Sequence, residues 1–82
     1  MQYIIIKTVI EKDSNDLIMQ ECFGVFTSKL DARIAMKTMF KEECDALREA
    51  YYIVNCTRPT DPLPTITYGE YKIMFAVLPV KS

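Results

Sequence analysis

The chain has 82 residues, enough for one small domain, and 50% of them are hydrophobic. Ten basic and 11 acidic residues leave a net charge of −1, which gives no overall attraction to nucleic acid or to an anionic membrane. This composition also lacks the low hydrophobicity and high net charge of disordered chains. We therefore expect residues 1–82 to form a single folded domain, with apolar surface either packed in the core or left for a partner.

Residues 2–11 are rich in β-branched side chains and predict a first strand. The polar cluster at 12–16 predicts a turn, and residues 17–26 predict a second strand that completes a hairpin. If Glu11 pairs with Leu17, apolar side chains lie opposite apolar ones, polar opposite polar, and acidic opposite basic. This register predicts the pairs Lys7–Glu21, Thr8–Gln20, Ile5–Phe23, Tyr3–Val25, Val9–Met19, Ile10–Ile18, Ile6–Cys22 and Ile4–Gly24.

Both faces of this predicted hairpin are apolar, whereas a sheet with one face in water alternates apolar and polar side chains. A single helix can cover only one of the two faces. Gly24 favours its own face as the one under the helix, because a missing side chain permits close approach. The opposite face is then predicted to be the interaction surface, formed by Tyr3, Ile5, Met19, Phe23 and Val25. The alternative is the face formed by Ile4, Ile6, Ile18 and Cys22.

A helix of about 22 residues is predicted to follow the hairpin. Ser28, with Asp31 three residues later, is typical of a helix start, and the next two dozen residues contain no proline or glycine. Apolar side chains recur at helical spacing and predict a stripe that faces the core. The members of this stripe are Ala32, Met36, Met39, Phe40, Cys44, Leu47 and Tyr51.

The last third of the chain predicts two further strands. Residues 52–58 indicate a third strand and residues 66–78 a single long fourth strand. Between them, Pro59, Pro62 and Pro64 predict a stiff, extended connection. The predicted fold is therefore α+β, with the order ββαββ and a four-stranded, mainly antiparallel sheet with one helix packed on one face. The alternative, a ferredoxin-like fragment, would need a second helix in the proline segment.

The hairpin ends in the sequence Gly-Val-Phe-Thr-Ser over residues 24–28, and the helix opens with Asp-Ala-Arg-Ile-Ala-Met over residues 31–36. This pattern, over residues 17–36, resembles a group of small proteins encoded by bacteriophages and gut-bacterial mobile elements. The resemblance implies a phage-like origin. It also implies a protein that acts by binding and blocking a host protein.

The sequence offers little for chemistry. It contains no histidine, the commonest general base and metal ligand. Its two glycines are too few for a P-loop or Rossmann fingerprint. The carboxylates Glu42, Glu43, Asp45 and Glu49 are close on the helix and are typical of a solvated face. We therefore expect no catalytic residue, no metal and no cofactor, and a protein that is not an enzyme.

The cysteines are three in number, Cys22, Cys44 and Cys56, and no two of them form a C-x-x-C pair. This pattern predicts neither a disulfide framework nor a zinc site, but thiols that stay reduced. Cys56, near Arg58, is the one thiol worth probing as a nucleophile. No apolar run is long enough for a signal peptide or a membrane span, so we expect a cytoplasmic location and no membrane partner.

The first half of the helix carries the basic ridge, defined as Lys29, Arg33, Lys37 and Lys41, and the second half carries the four carboxylates named above. This order is unfavourable for the helix dipole, which stabilises acidic groups first and basic groups last. The ridge therefore indicates contact with phosphates, or antiparallel docking of the whole helix on a copy of itself or on a bipolar partner surface, unless the charge order is accidental. Ile34 is a candidate contact point on this side of the helix. The neutral net charge and the missing aromatic platform disfavour nucleic acid.

These observations lead to three hypotheses of function. The first is a non-enzymatic protein-interaction module that forms a homodimer through the sheet face away from the helix. The second is a phage-type inhibitor that binds and blocks a host defence protein. The third is weak nucleic-acid binding through the basic ridge. The sequence itself does not identify the partner or the biological process.

Overall fold

The computed structural model describes residues 1–80 and contains one helix and five strands. In chain order these are β1 (Gln2–Glu11), β2 (Leu17–Phe26), α1 (Lys29–Glu49), β3 (Val54–Cys56), β4 (Thr65–Tyr68) and β5 (Tyr71–Val80). All pairings are antiparallel, and the strands lie in the order β2-β1-β5-β4-β3. The α+β class with one helix on one sheet is confirmed, but the prediction of four strands is wrong.

The additional strand comes from a turn inside the segment predicted as one long strand. Gly69 and Glu70 form a two-residue loop, and Tyr68 pairs with Tyr71 across it. Gly69 has φ +52°, a conformation that glycine adopts without a steric penalty. A glycine at the first position of a two-residue loop is a common hairpin signal. The turn at this glycine therefore divides residues 65–80 into the two strands of the β4–β5 hairpin.

The first hairpin follows the predicted register along its centre and departs from it near both ends. Five predicted pairs are confirmed: Ile5–Phe23, Ile6–Cys22, Lys7–Glu21, Thr8–Gln20 and Val9–Met19. Tyr3, however, pairs with Phe26 instead of Val25, and Ile10 pairs with Leu17. Each departure is a β-bulge, in which β2 contributes one residue more than β1.

Gly24 belongs to the first of these bulges. It adopts φ +63°, and Gly24 and Val25 together lie opposite Ile4. The extra residue shifts the alternation of β2, so that Phe26 packs against the same core as Phe23 while Val25 points to the other side. The argument that Gly24 lets the helix approach its face is therefore wrong, because the glycine serves the bulge.

Helix α1 begins as predicted. The Ser28 hydroxyl oxygen accepts a hydrogen bond from the backbone N–H of Asp31 at 3.4 Å, which supplies a partner for one of the free N–H groups of the first turn. Four side chains of the predicted stripe are buried, and Met39 and Leu47 pack at its border. The buried four are Ala32, Met36, Phe40 and Cys44.

The helix ends earlier than the predicted stripe. Tyr51 adopts φ +67°, and its N–H donates to the carbonyl of Arg48 at 3.0 Å. The N–H of Tyr52 donates to the carbonyl of Leu47 at 3.1 Å, which completes a Schellman cap. Tyr51 is consequently 95% exposed, and its assignment to the core-facing stripe is wrong.

The core lies between α1 and the β1–β5–β4 part of the sheet. It contains Ile5, Val9, Met36, Phe40, Cys44, Ile66, Ile73 and Phe75. Phe40 and Phe75 meet edge to face with ring centroids 6.0 Å apart, which joins the middle of the helix to the middle of β5. At the side of this core, Lys7 Nζ lies 2.9 Å from Glu43 Oε1 and forms a partly buried ion pair between β1 and α1.

The proline segment between β3 and β4 turns back on itself. The N–H of Arg58 donates to Asp61 Oδ2 at 3.1 Å, and the N–H of Asp61 donates to the Arg58 carbonyl at 3.0 Å. Pro64 is buried, and its carbonyl accepts from the N–H of Phe75 at 3.0 Å. The segment is thus a compact loop instead of the extended connection predicted from its prolines, and it shortens the predicted third strand to residues 54–56.

Candidate interaction surface

The sheet has one face without a helix, which we call the free face. The pairing of β1 with β2 and β5 places alternate residues of the three strands on this side, and Val25 joins them through the bulge. Its apolar side chains are those of Ile4, Ile6, Ile10, Leu17, Cys22, Val25, Met74, Ala76, Leu78 and Val80. None of these belongs to the core under the helix, and Val25 and Leu78 are 64% and 43% exposed.

The free face is the opposite of the one chosen from the sequence. Ile5 is fully buried at 0% exposure, and Phe23 packs beside it against the core. Tyr3 lies on the same side of β1 as Ile5, and Met19 pairs with Val9 on that side. Of the five predicted interaction residues, only Val25 reaches the free face, because the bulge at Gly24 reverses its direction.

The free face carries very little charge. Among the strand residues within 1–80 that alternate onto this side, Lys72 is the one charged residue. On the side toward β4, Lys72 has polar neighbours. Across the β1–β2 pair, Gln20 Nε2 donates to Thr8 Oγ1 at 3.1 Å. The face therefore has an apolar part around Ile6 and Leu78 and a polar part around Thr8 and Lys72.

The dimensions of the face follow from those of its strands. Three strands of ten residues span about 14 Å by 33 Å at ordinary strand spacing and rise. With side-chain relief this corresponds to roughly 500–700 Å² of surface on one molecule, somewhat below the roughly 800 Å² per partner of a standard interface. The face is large enough for a reversible contact of modest affinity.

The basic ridge is the second candidate surface. Lys29, Lys37 and Lys41 are exposed, and Arg33 is half-buried. The only salt bridge within residues 1–80 is the one between Lys7 and Glu43, so the four ridge cations have no carboxylate within 4 Å. The predicted ridge is therefore continuous along one side of α1.

Ile34 lies beside the ridge in a shallow groove. The groove has a volume of about 300 Å³ and lies between α1 and the proline loop, with Arg33, Lys37, Pro59 and Thr60 around it. Ile34 is 56% exposed there. Its neighbours on the loop were not foreseen from the sequence, because the loop was expected to run straight between two strands.

The acidic half of the helix is less uniform than its sequence suggests. Glu42, Asp45 and Glu49 are exposed, but Glu43 is half-buried in the ion pair with Lys7. Burial raises the pKa of the nearby Tyr68 phenol, and the negative charge of Glu43 adds to this effect. Glu43 thus has a structural role, in contrast to its prediction as part of a solvated face.

A third exposed feature follows the helix. Tyr51, Tyr52 and Ile53 are all exposed, and the ring of Tyr52 meets that of Tyr68 edge to face with centroids 5.3 Å apart. Tyr71 extends the cluster, with its ring centroid 5.7 Å from that of Tyr68. This cluster has no signal in the sequence, because the turn that brings Tyr68 and Tyr71 together lies inside a segment predicted as one strand.

No helix within residues 1–80 has the length and apolar character needed to cross a bilayer. Nor does this part of the chain bring together three or more histidine, cysteine, aspartate or glutamate side chains in a way that could hold a metal ion. No protein-family model matches the chain. Comparison with curated proteins and with solved structures likewise gives no match.

Proposed function

We propose that the chain is a small, non-enzymatic protein-interaction module that forms a homodimer through its free face. The observation that carries this proposal is the combination of an uncovered sheet face with an apolar part that contains no charge. α1 covers only the opposite face, where Ile5, Val9 and Phe75 are buried. Ile4, Ile6 and Leu78 then remain as apolar surface that a partner would remove from water.

A second copy of the chain suits this face as its partner. In a two-fold arrangement the same patch meets itself, so that a charge close to the symmetry axis faces its own copy. The apolar part of the free face lacks charge, and Lys72 lies toward its polar end. Self-association therefore brings no like-charge repulsion at the centre of the contact. From the area of the face, we expect a dimer that dissociates on dilution.

The test is a charge placed within the apolar part of the free face. Leu78→Glu is expected to turn a dimer into a monomer, because the exposed side chain lies in the contact but contributes little to the core. Ile34→Glu, which places the same charge at a comparably exposed position on the helix, is the matched control and should remain a dimer. The mass of each protein is measured by light scattering over a range of concentrations, and circular dichroism verifies folding.

Two results would contradict a homodimer formed through the free face. One is a wild-type mass that stays monomeric at every concentration. The other is a Leu78→Glu mass equal to that of the wild type while the fold is intact. A dimer that survives high salt but not Leu78→Glu would support an apolar contact, because apolar contacts are not weakened by ionic screening.

The second candidate is a phage-type inhibitor that covers the same face with a host protein. It is favoured by the resemblance of residues 17–36 to small proteins of bacteriophages and mobile elements. A photo-crosslinking amino acid at position 25 distinguishes the two, since Val25 is exposed on the free face. Crosslinking in cells to a second copy supports the homodimer. Crosslinking to one defined host protein, lost in Leu78→Glu, supports the inhibitor.

The third candidate is weak binding of nucleic acid by the basic ridge. It is favoured by the four cations, which have no carboxylate within 4 Å in the described part of the chain. Binding of a duplex oligonucleotide should then weaken steeply with salt and be reduced by Lys37→Glu. Absence of binding at low salt, measured by fluorescence anisotropy, would remove this candidate.

A further inference from the structure

Two cysteine sulfurs meet in a cleft on the helix side of the sheet. Cys44 is buried on α1 and Cys56 is half-buried on β3, and their Sγ atoms are 2.7 Å apart. The cleft has a volume of about 280 Å³ and continues along α1 under Pro59 of the proline loop. The third thiol, Cys22, is exposed on the free face, on the other side of the sheet.

The distance between the two sulfurs is shorter than an ordinary non-bonded contact between sulfur atoms. A disulfide bond is about 2.05 Å long, so that bond formation requires an approach of only about 0.65 Å. The backbones of α1 and β3 already hold the two side chains at this separation. The sulfurs of Cys44 and Cys56 are therefore within reach of each other in the folded protein.

The two thiols differ in their surroundings. Burial raises the pKa of the Cys44 thiol to about 12, and the nearby Cys56 adds to this rise, so Cys44 remains protonated at neutral pH. Cys56 is more accessible, and Arg48 Nη2 approaches its sulfur at 3.9 Å. A cation beside a partly exposed sulfur is the environment in which reactive thiols occur. Cys56 is thus placed as the attacking thiol and Cys44 as the resolving thiol.

The cleft is also positively charged. Lys37, Lys41 and Arg48 line it, with Asp45 as the one acidic side chain among its lining residues. A cationic cleft of this size raises the local concentration of small anions and repels small cations. A low-molecular-weight disulfide that bears carboxylates, such as oxidised glutathione, would be attracted to it.

From this geometry we propose that Cys44 and Cys56 form a reversible disulfide by exchange with an anionic low-molecular-weight disulfide. The Cys56 thiolate attacks one sulfur of that disulfide, so that its S–S bond breaks, one small thiolate leaves, and a mixed disulfide forms between Cys56 Sγ and the other sulfur. The Cys44 thiol then loses its proton and attacks Cys56 Sγ, which releases the second small thiolate. The two cysteines are oxidised, the small disulfide is reduced to two thiols, and both protons lost by the cysteines end on those thiols.

This inference departs from the expectation from sequence that the three thiols stay reduced. The separation of 12 residues between Cys44 and Cys56 gives no sign that their sulfurs meet. The pair lies apart from the free face, so the disulfide does not depend on the proposed homodimer.

The first test uses the wild-type protein in buffers of graded ratios of oxidised to reduced glutathione. We expect intact-mass spectrometry to show the loss of two hydrogen masses, and peptide mapping to link Cys44 to Cys56. Cys22→Ser should behave in the same way, whereas Cys56→Ser should not lose these hydrogens. Free thiols at both positions in excess oxidised glutathione, or linkage through Cys22, would overturn the proposal without any need for a folded variant.

The second test addresses the charge of the cleft. Oxidised glutathione should oxidise the pair roughly tenfold faster than cystamine, a cationic disulfide, at low salt, and the two rates should converge at high salt. Lys37→Glu and Lys41→Glu together should reverse this preference, while Lys29→Glu, at the far end of the ridge, should not. Equal rates for the two disulfides in the wild type at low salt would overturn the preference for an anionic reactant.

Discussion

The ring of Phe26 fills the space that a side chain at position 24 would occupy. A Cβ atom on Gly24 would lie 2.8 Å from Phe26 Cε2, closer than real Cβ contacts allow. The bulge therefore depends on both the left-handed conformation of the glycine and the packing of the ring. It turns Phe26 toward the helix and Val25 toward the free face.

Gly24→Ala is expected to lower the free energy of unfolding by about 2–3 kcal/mol, since it adds the left-handed penalty to a clash with the ring. Gly69→Ala is the matched control. It also has positive φ, but nothing lies within 4 Å of its Cβ, so only the penalty of about 1–2 kcal/mol applies. Urea unfolding measures both values. Equal losses would show that the contact with Phe26 does not contribute.

Tyr51→Gly is expected to stabilise the protein by about 1 kcal/mol. Tyr51 holds a left-handed conformation at the end of α1 with its side chain almost fully exposed, and glycine adopts this conformation without strain. Tyr51→Ala removes the same side chain but keeps the penalty, so it should gain little. Thermal unfolding compares the two variants, and an equal rise in Tm for both would contradict this explanation.

The ion pair between Lys7 and Glu43 is expected to contribute a coupling energy of about 1–2 kcal/mol, because both side chains are largely shielded from water. A double-mutant cycle with Lys7→Met and Glu43→Gln isolates this value by urea unfolding. The coupling should persist in high salt, since a partly buried pair is screened less than a surface pair. A coupling energy of zero would assign the pair no role in joining β1 to α1.

Alkaline pH is expected to destabilise the reduced protein through Cys44. Its pKa is raised from 9.0 to about 12 by burial in the folded state, so the unfolded chain loses the proton first. The stability that protonated Cys44 contributes is complete below about pH 9 and is lost as the pH rises toward about 12. The charged and titratable neighbours that influence it are Cys56, Arg48 and Asp45.

Urea unfolding under reducing conditions between pH 8 and pH 11 measures this loss. Cys44→Ala should show a shallower decline than the wild type. Its remaining slope includes Tyr68, whose pKa is also raised by burial. If both proteins show the same slope, the titration of Cys44 does not account for the loss of stability in this pH range.

The parts of the fold that the sequence predicts are those with strong local patterns. The helix start at Ser28 and the central pairs of the first hairpin follow from a capping signal and from side-chain pairing. The turn at Gly69 was missed because it lies among tyrosines and threonines that favour strands. A single glycine without a polar cluster is also compatible with a strand interior.

The choice of sheet face was wrong because it was based on Gly24, which belongs to the bulge and does not mark the face under the helix. Both faces of β1 are apolar, so hydrophobicity alone does not distinguish Ile5 from Ile6. The distinction comes from the tertiary contacts of Ile5 with α1, which have no local signature in the sequence. The meeting of Cys44 and Cys56 escaped prediction for the same reason.

The two edges of the sheet differ in a way that limits how molecules can add to one another. β2 offers an edge of ten residues, whereas the edge formed by β3 is three residues long and continues into the proline loop. Growth of a fibre by sheet extension needs the edge of one molecule to accept the opposite edge of the next. A short edge followed by prolines, which lack an N–H to donate, does not support that addition. Any extension through β2 would therefore join two molecules edge to edge and stop there.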